Sequence, residues 1–362
     1  MLKFATMELK GLILSGGEGT RLRPITHTSA KQLVPVANKP ILFYGLEALR
    51  DAGLRDVGII VGDTEEEIRE AVGDGSRWGM RITYIRQEAP LGLAHAVLTA
   101  ADFLSDTPFV MYLGDNLIKE GITAFVDEFR NKEVDALILL ARVPDPQRFG
   151  VARLEGNRVV ELVEKPKEPP SDLALVGAYM FRPVILEAAR AIRPSWRNEL
   201  EITDAIQHLI DNGYRVEAHV IKGWWKDTGR LEDLLEANCM VLEDLEPRCD
   251  GEVDGESRIL GRVVVEEGAE VIRSTLRGPS IIGRGSRIVD SYIGPFTSIY
   301  YDVVVEGSEL EHSIIMENSV IRNIPGRIEE SLIGKNVEIA RSFDRPKTYR
   351  FMLGDNSRVG LI

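Results

Sequence analysis

The sequence predicts an α/β chain with two folded parts. A mostly parallel sheet wrapped by helices is expected over residues 1–246. A linker at 247–254, a parallel β-helix at 255–341 and a tail at 342–362 follow. Three observations carry that expectation. Short apolar runs alternate with helical patterns through the first part. A glycine-rich turn follows directly on the first apolar run. In the last third, helical periodicity gives way to serine–aliphatic pairs that recur at coil-length intervals.

Leu12, Ile13 and Leu14 read as a buried strand that breaks into Ser15, Gly16, Gly17, Gly19 and Thr20, with Arg21 and Arg23 at once after. Glycine lets the backbone bend through positive φ and come close to a ligand. Successive N–H groups then form an anion-binding concavity to which Arg adds charge, as a nucleoside triphosphate requires. The spacing is not Gly-x-Gly-x-x-Gly, and no Gly-Lys-Ser/Thr closes it, so neither a dinucleotide fingerprint nor a Walker A loop is present. Residues 40–52 read as a helix with Pro40 in its first turn and Gly53 past its end. Strands are expected at 57–61, 82–86 and 109–113, and helices at 64–72 and 93–104. The helix at 64–72 opens on acids suited to its N-terminal dipole. Ligands of such sheets sit beyond the carboxyl ends of the strands, where the glycine turn, Gln87 and Asp115 all fall. Strands at 136–140, 150–154, 158–163 and 175–181 make a strand-rich second half. A helix at 202–211, a strand at 214–221 and a long helix at 231–245 complete the first part.

Beyond the linker, Ser-x-Leu/Ile recurs at Ser274, Ser291, Ser313 and Ser331, spaced 17, 22 and 18 residues apart. An apolar residue follows six later than each aliphatic, at Ile282, Ile299, Ile321 and Ile339. This reads as three hexads per coil with one insertion. Each coil contributes one inward aliphatic per face and cannot bury its core alone.

Composition narrows the function. The 362 residues suffice for two domains, and 44% hydrophobic with 28% charged residues is an ordinary globular balance. A formal net charge of −13 argues against general nucleic-acid binding and leaves cationic ligand contacts to be local. No apolar stretch approaches a membrane span. The opening residues 1–7 are too short for a signal peptide with an apolar core. Two cysteines, Cys239 and Cys249, give neither a disulfide framework nor a metal spacing, so a reducing cytoplasm is the expected setting.

The ordered string Gly-Gly-x-Gly-Thr-Arg-Leu-x-Pro-x-Thr over 16–26, continued by Ser-Ala-Lys-Gln-Leu-Val-Pro-Val-Ala-Asn-Lys-Pro over 29–40, resembles the signature of sugar nucleotidyltransferases. The resemblance runs over nearly the whole chain and is nearest to the long thymidylyltransferase form with a β-helix tail. It implies a Rossmann-like catalytic domain, a left-handed β-helix and a homo-oligomer. It also implies Mg²⁺ as cofactor and the conversion of dTTP and glucose 1-phosphate into dTDP-glucose and pyrophosphate. The attacking group is a sugar-phosphate oxygen, already largely ionised at neutral pH, so no general base is required. Alignment of two anions and neutralisation at the α-phosphorus are.

The resemblance places Arg21, Lys31 and Lys165 as catalytic cations; Arg23 reads equally well as structural. It places Leu14, Gly16, Gly17, Gly19, Thr20, Arg21, Gln87, Gly92 and Asp115 on the nucleotide. A carboxamide such as Gln87 suits the edge of thymine or uracil, and an exposed loop residue is the equal alternative. Asn116, Gly150, Glu164, Lys165, Val176 and Arg197 fall on the sugar phosphate, with Glu199 a further sugar contact. Glu164 and Lys165 stand in the family's Glu-Lys-Pro motif. Asp115 and Asp227 are the expected metal pair, since Mg²⁺ is held by one or two carboxylates plus phosphate oxygens. A turn residue at 115 and a helix-opening residue at 227 are the plain alternatives. UTP or another sugar phosphate as substrate remains open. An inactive regulatory subunit should lack one of Arg21, Lys31, Asp115, Lys165 or Asp227, and all five are present; a second acyl-transfer activity stays open, with His312 the one histidine in the repeats.

Overall fold

Leu12, Ile13 and Leu14 are all buried, but on opposite sides of a sheet. Ile13 enters one apolar cluster, Leu12 and Leu14 another, as period-two alternation requires of a strand covered on both faces. The computed structural model describes residues 7–17, 19–27, 29–343, 345 and 348–360. Residues 1–6, where a signal peptide was discounted, and part of the expected tail lie outside the described residues.

In chain order the main elements are β1 (Lys10–Leu14), β2 (Pro35–Val36), β3 (Lys39–Pro40), α1 (Ile41–Asp51), β4 (Asp56–Val61), α2 (Glu65–Val72) and β5 (Arg81–Arg86). There follow α3 (Leu93–Thr99), α4 (Ala101–Leu104), β6 (Phe109–Leu113), β7 (Asn116–Ile118), α5 (Thr123–Asn131), β8 (Ala136–Arg142), β9 (Gly150–Glu155) and β10 (Arg158–Glu164). Then come β11 (Leu173–Phe181), α6 (Val184–Ala191), α7 (Ile202–Asp211), β12 (Val216–Val220), β13 (Trp225–Asp227) and α8 (Leu231–Leu242). The chain forms two compact units. One holds the residues before Gly19, Ala30–Leu33 and Ile41–Asp227; the other holds Gly19–Ser29, Val34–Pro40 and the chain from Thr228.

The first unit is built on a nine-stranded sheet in the order β5-β4-β1-β6-β11-β8-β12-β10-β9. β5, β4, β1 and β6 run parallel, as do β12 and β8. β11 lies antiparallel between β6 and β8, and β9 and β10 form an antiparallel pair at the edge. One face is covered by α1, α2 and α5 through Leu46, Ile68 and Phe129; the other by α3, α6 and α7 through Val97, Ile185 and Ile206. The helix expected over 93–104 is broken at Ala100 into α3 and α4. α5 and α6, at nine and eight residues, are additions to the expected helices; unlike α2, neither opens on a run of acids.

In the second unit three parallel sheets wind as a β-helix. Each face contributes one inward column. Val265, Ile282, Ile299, Ile315 and Ile333 stack on the first; Val253, Val271, Ile288, Val305, Ile321 and Ile339 on the second; Leu276, Ile293, Leu310 and Ile328 on the third. A corner ladder runs alongside. Ser274 N–H donates to Ser257 Oγ, Ser291 N–H to Ser274 Oγ and Ser308 N–H to Ser291 Oγ, each 17 residues on. This corrects the expected insertion. Ser308, not Ser313, follows Ser291 in the ladder, and the 22-residue gap is a step from one corner to the next. The stretch read as a linker carries two strands, Arg248–Cys249 and Glu252–Val253, paired with the coil that follows. Only Val253 of it joins the inner column, so its polar composition concealed the coil.

α8 also belongs to this unit. Its Asn238 is fully buried. Asn238 Oδ1 accepts from Ala37 N–H at 2.9 Å and from Ser298 Oγ at 2.7 Å, and its amide nitrogen donates to Phe296 O at 3.1 Å. One side chain thus ties the β2–β3 turn and the helix to the β-helix wall. Asn238→Leu strands a buried amide N–H, a hydroxyl and a carbonyl. We expect it to destabilise the second unit by about 2–4 kcal/mol in urea unfolding, while Glu246→Gln on the exposed surface changes nothing measurable.

Candidate active site

The site in the first unit assembles where β1, β5 and β6 end at their carboxyl edge. After Leu14 the chain is held by Ser15 N–H donating to Ile60 O at 2.9 Å, and Gly16 and Gly17 then run bare across the edge. A side chain at Gly17 would come within 3.3 Å of Lys31 Cε, and one at Gly16 within 3.3 Å of Gln87 Oε1. Lys31 opens a 3₁₀ turn, Lys31–Leu33, whose preceding Ala30 N–H donates to Glu67 of α2 at 2.6 Å. Its ammonium is ion-paired with Asp115. Burial works against the charge on Asp115. The Lys31 ammonium and hydrogen bonds from Lys31 and Asn116 more than offset it, and the carboxyl is held below the ordinary range.

Asn116 is buried and opens β7. Its amide nitrogen donates to Asp115 Oδ1 at 2.9 Å, and its oxygen accepts from Trp225 Nε1 at 2.5 Å. β7 pairs antiparallel with β13 so that Asn116 stands opposite Asp227. Asp115 and Asp227, remote in sequence, therefore lie on adjacent positions of one ribbon. The structure gives both plain alternatives a definite form: Asp115 is the turn residue between β6 and β7, and Asp227 is the last residue of a strand, not the first of α8. Space for Asn116 comes from Gly177, where a Cβ would fall 2.5 Å from Asn116 Cγ. Gly177 sits in the irregular part of β11, between Leu175 and Tyr179. Gly177 and Trp225 escaped the sequence reading, although a glycine inside a strand marks close approach by another group.

Gln87 follows β5, with its N–H on Val61 O at 2.9 Å. Gly92, at φ 106°, caps α3, and a side chain there would meet Leu200 O at 2.4 Å. Gln87 is largely buried and hydrogen-bonded, which decides against the exposed-loop alternative.

On the strand-rich side, Glu164 ends β10 and Lys165 takes a strained φ of 42° with its N–H on Phe149 O at 3.0 Å. Glu164 Oε1 lies 3.3 Å from Lys165 Nζ and 3.5 Å from Arg197 Nη1, and its other oxygen accepts from Thr203 at 3.3 Å. Arg197 also pairs with Glu199, and its Nε lies 3.5 Å from Glu201. Burial, then the Glu164 and Glu199 charges, pushes Glu201 up against a Ser195 hydrogen bond and Arg197; burial and Glu164 push Asp204 up. Gly150 faces Glu164 Oε2, 3.3 Å from where its Cβ would stand. Val176 is fully buried in the core. Trp225 joins the two halves: besides its bond to Asn116, it packs edge-on against Phe149, 5.2 Å between ring centres. Tyr179, buried between them, is raised by burial and by both Glu164 and Asp227.

The structure thus brings together Leu14, Gly16, Gly17, Lys31, Gln87, Gly92, Asp115, Asn116 and Asp227, and separately Gly150, Glu164, Lys165, Arg197 and Glu199. Gly19, Thr20 and Arg21 fall in the second unit. There Thr20–Leu22 make one 3₁₀ turn, Thr26 Oγ1 donates to Gly19 O at 2.7 Å and Arg21 is exposed. His312 occupies a β-helix corner at φ 47°, edge-on to Phe296. Among the described residues no group of three or more His, Cys, Asp or Glu side chains gathers as a metal site. An ion that keeps waters and substrate oxygens needs only one or two carboxylates, and Asp115 and Asp227, at neighbouring backbone positions of the β7–β13 ribbon, are acids of that kind.

A glycine turn at the edge of a parallel sheet, backed by a cation and paired carboxylates, defines a protein that handles nucleoside phosphates. The chain belongs to the nucleotidyl transferase family, whose model matches residues 10–244. It is 58% identical over 352 residues to a glucose-1-phosphate thymidylyltransferase of Streptomyces griseus, covering 97% of this chain and 99% of that one. It is 60% identical over 353 residues to another from Streptomyces antibioticus, with the same coverage. The crystal structure of a UDP-glucose pyrophosphorylase complexed with UDP-glucose superposes with a TM-score of 0.60 at 27% identity, covering 66% of this chain and 99% of that one.

Two outcomes check this geometry. Gly177→Ala drives a methyl into Asn116, and we expect turnover to fall by about 100-fold with secondary structure retained, as read by pyrophosphate release and circular dichroism. The depressed Asp115 carboxyl contributes stability that is fully present above its unfolded value, near pH 4, and is lost as pH falls through its lower folded value. The stability difference between wild type and Asp115→Asn should therefore shrink as acid unfolding is followed below about pH 4.

Proposed function

We propose that this chain transfers a thymidylyl group from dTTP to glucose 1-phosphate, giving dTDP-glucose and pyrophosphate. The observation that carries this reading is the Lys31–Asp115–Asn116–Asp227 arrangement at the carboxyl edge of the sheet, with Gly16 and Gly17 beside it. Near-full-length relatives bearing that activity support it. Leu14, Gly16, Gly17, Gly19, Thr20, Gln87 and Gly92 hold the nucleotide; Asn116, Gly150, Glu164, the Val176 backbone and Arg197 hold the sugar phosphate.

A phosphate oxygen of the sugar attacks the α-phosphorus, and the bond from that phosphorus to the bridging oxygen breaks in line. Pyrophosphate leaves with that electron pair, and no proton has to move. Lys31 and Arg21 neutralise charge at the α-phosphate and the departing group. Lys165 and Arg197 hold the attacking phosphate in line. Members of the family generally use a divalent metal. Asp115 and Asp227 would hold it, Mg²⁺ by the chemistry of the site, and it would supply charge neutralisation on the triphosphate. We further assign the chain to the cytoplasm and to a homo-oligomer. No helix among the described residues is long and apolar enough to cross a membrane.

The test is a panel of nucleoside triphosphates against several sugar 1-phosphates, reading pyrophosphate. We expect dTTP with glucose 1-phosphate to lead. Asp115→Ala and Asp227→Ala should each lower metal-dependent turnover by about 1,000-fold or more with the fold intact. Near-normal turnover in either variant overturns the metal assignment, and a panel led by another pair overturns the substrate assignment.

A further inference from the structure

We infer that His95 is a positioning residue that locks the Gln87 carboxamide, so that the base site selects a pyrimidine carrying an N3–H donor. The inference rests on the reading of Gln87 as the base contact and deepens it.

Gln87 Nε2 stands between two groups, Gly92 O at 3.5 Å and His95 Nδ1 at 2.8 Å. A carbonyl oxygen only accepts. The amide must therefore turn its nitrogen toward Gly92, since the opposite flip would set two oxygens face to face. With that nitrogen donating, His95 Nδ1 has to be bare and accept, which fixes the neutral tautomer protonated at Nε2. The other end of the amide is then determined. Oε1 points at Gly16, 3.3 Å from where a Cβ there would stand, on the bare backbone of the glycine turn. An acceptor in that place bonds the N3–H of thymine or uracil and opposes the unprotonated N3 of cytosine.

The lock is itself held by backbone. Gly92 can approach Leu200 as closely as it does only without a side chain. Ala94 N–H donates to Leu200 O at 3.0 Å, and Leu200 N–H to Leu91 O at 2.8 Å. These bonds set the first turn of α3, and His95 is its third residue. Among the described residues, no hydrogen bond or ion pair joins His95 to Lys31, Lys165 or Arg197, so its effect should fall on base selection.

The experiment measures kcat and KM for dTTP and dCTP with glucose 1-phosphate. In His95→Leu the amide loses its partner and rotates. We expect KM for dTTP to rise about tenfold with a much smaller change in kcat, and the preference for dTTP over dCTP to fall about tenfold. His95→Asn puts an acceptor Oδ1 where Nδ1 stood and should restore both. KM and preference within about twofold of wild type in a folded His95→Leu protein would overturn the inference, as would failure of a folded His95→Asn to recover them. If His95→Leu does not fold, the wild-type protein decides. With only five histidines, selective ¹⁵N labelling reports which ring nitrogen of His95 is bare, and a proton on Nδ1 refutes the lock. Wild type is also offered N3-methyl-dTTP. If it turns over as well as dTTP, the reading of Gln87 as base contact fails, an outcome distinct from the failure of His95 to orient it.

Discussion

One buried side chain holds the two acids of the site in relation to each other. A carboxamide shut away from water needs partners for both its ends, and losing one costs its full desolvation. Asn116 meets that demand with Asp115 at its nitrogen and the Trp225 indole at its oxygen, while its backbone stands opposite Asp227. Tyr112, from the middle of the sheet, closes the arrangement by donating its hydroxyl to Asn116 O at 3.0 Å. Asp115 cannot drift without breaking its bond to the Asn116 amide, and Asp227 cannot without leaving the β7–β13 ladder. The absent side chain at Gly177 is the spatial condition for all of it. Trp225 extends the same constraint to Phe149, next to the Gly150 and Lys165 backbone, so one network spans both halves of the sheet.

Charge follows the same logic. In a chain of net charge −13, three cations of the first unit are held by carboxylates. Lys31 rests on Asp115, and Lys165 and Arg197 rest on Glu164, Glu199 and Glu201. Such pairs keep partly buried cations extended and in place, and each retained acid avoids the penalty of an unpartnered charge. On the proposed reading, arriving phosphates would compete with carboxylates for cations already in position, which lowers the ordering cost of binding.

What was legible in the sequence was whatever a local pattern can encode. Leu12–Leu14 alternation, the Gly16–Gly17 turn, the acid-led start of α2 and the serine–aliphatic pairs each declared their element. β7 and β13, three residues apiece, carry no period of their own; each exists because the other is there to pair with it. Without that pairing the residue pattern leaves Asp115 open to reading as a turn residue and Asp227 as a helix-opening one. Val176 fell in a stretch legible as a strand, but which way its side chain faces depends on the break in register through Gly177. His95 was written in the motif around Gln87. Its role was invisible because it depends on a carbonyl, Gly92 O, whose direction is set by Leu200 a hundred residues on. The serine spacing misled for a related reason: two corners of one coil carry the same residue type, and only the hydrogen-bond ladder tells them apart.

Between β1 and α1 the chain passes twice from one compact unit to the other. From Gly17 the chain leaves the sheet unit, spends 19–29 in the second unit, returns for Ala30–Leu33 and departs again for Val34–Pro40 before α1. The only residues it sends back between the two departures are those around Lys31. Within the second unit these excursions are anchored deep in the repeats. Asn38 donates to Ile299 O at 2.6 Å, Ala37 is held by Asn238, and Ile25 lies against Gly334 near the last coil. Arg21 is carried on the first excursion. A signature that is continuous in sequence is thus divided between two units, with Gly16, Gly17 and Lys31 seated in one and Gly19, Thr20 and Arg21 in the other. Within the second unit, the coils that hold Ala37, Asn38 and Ile25 are the framework on which the turn carrying Arg21 is anchored.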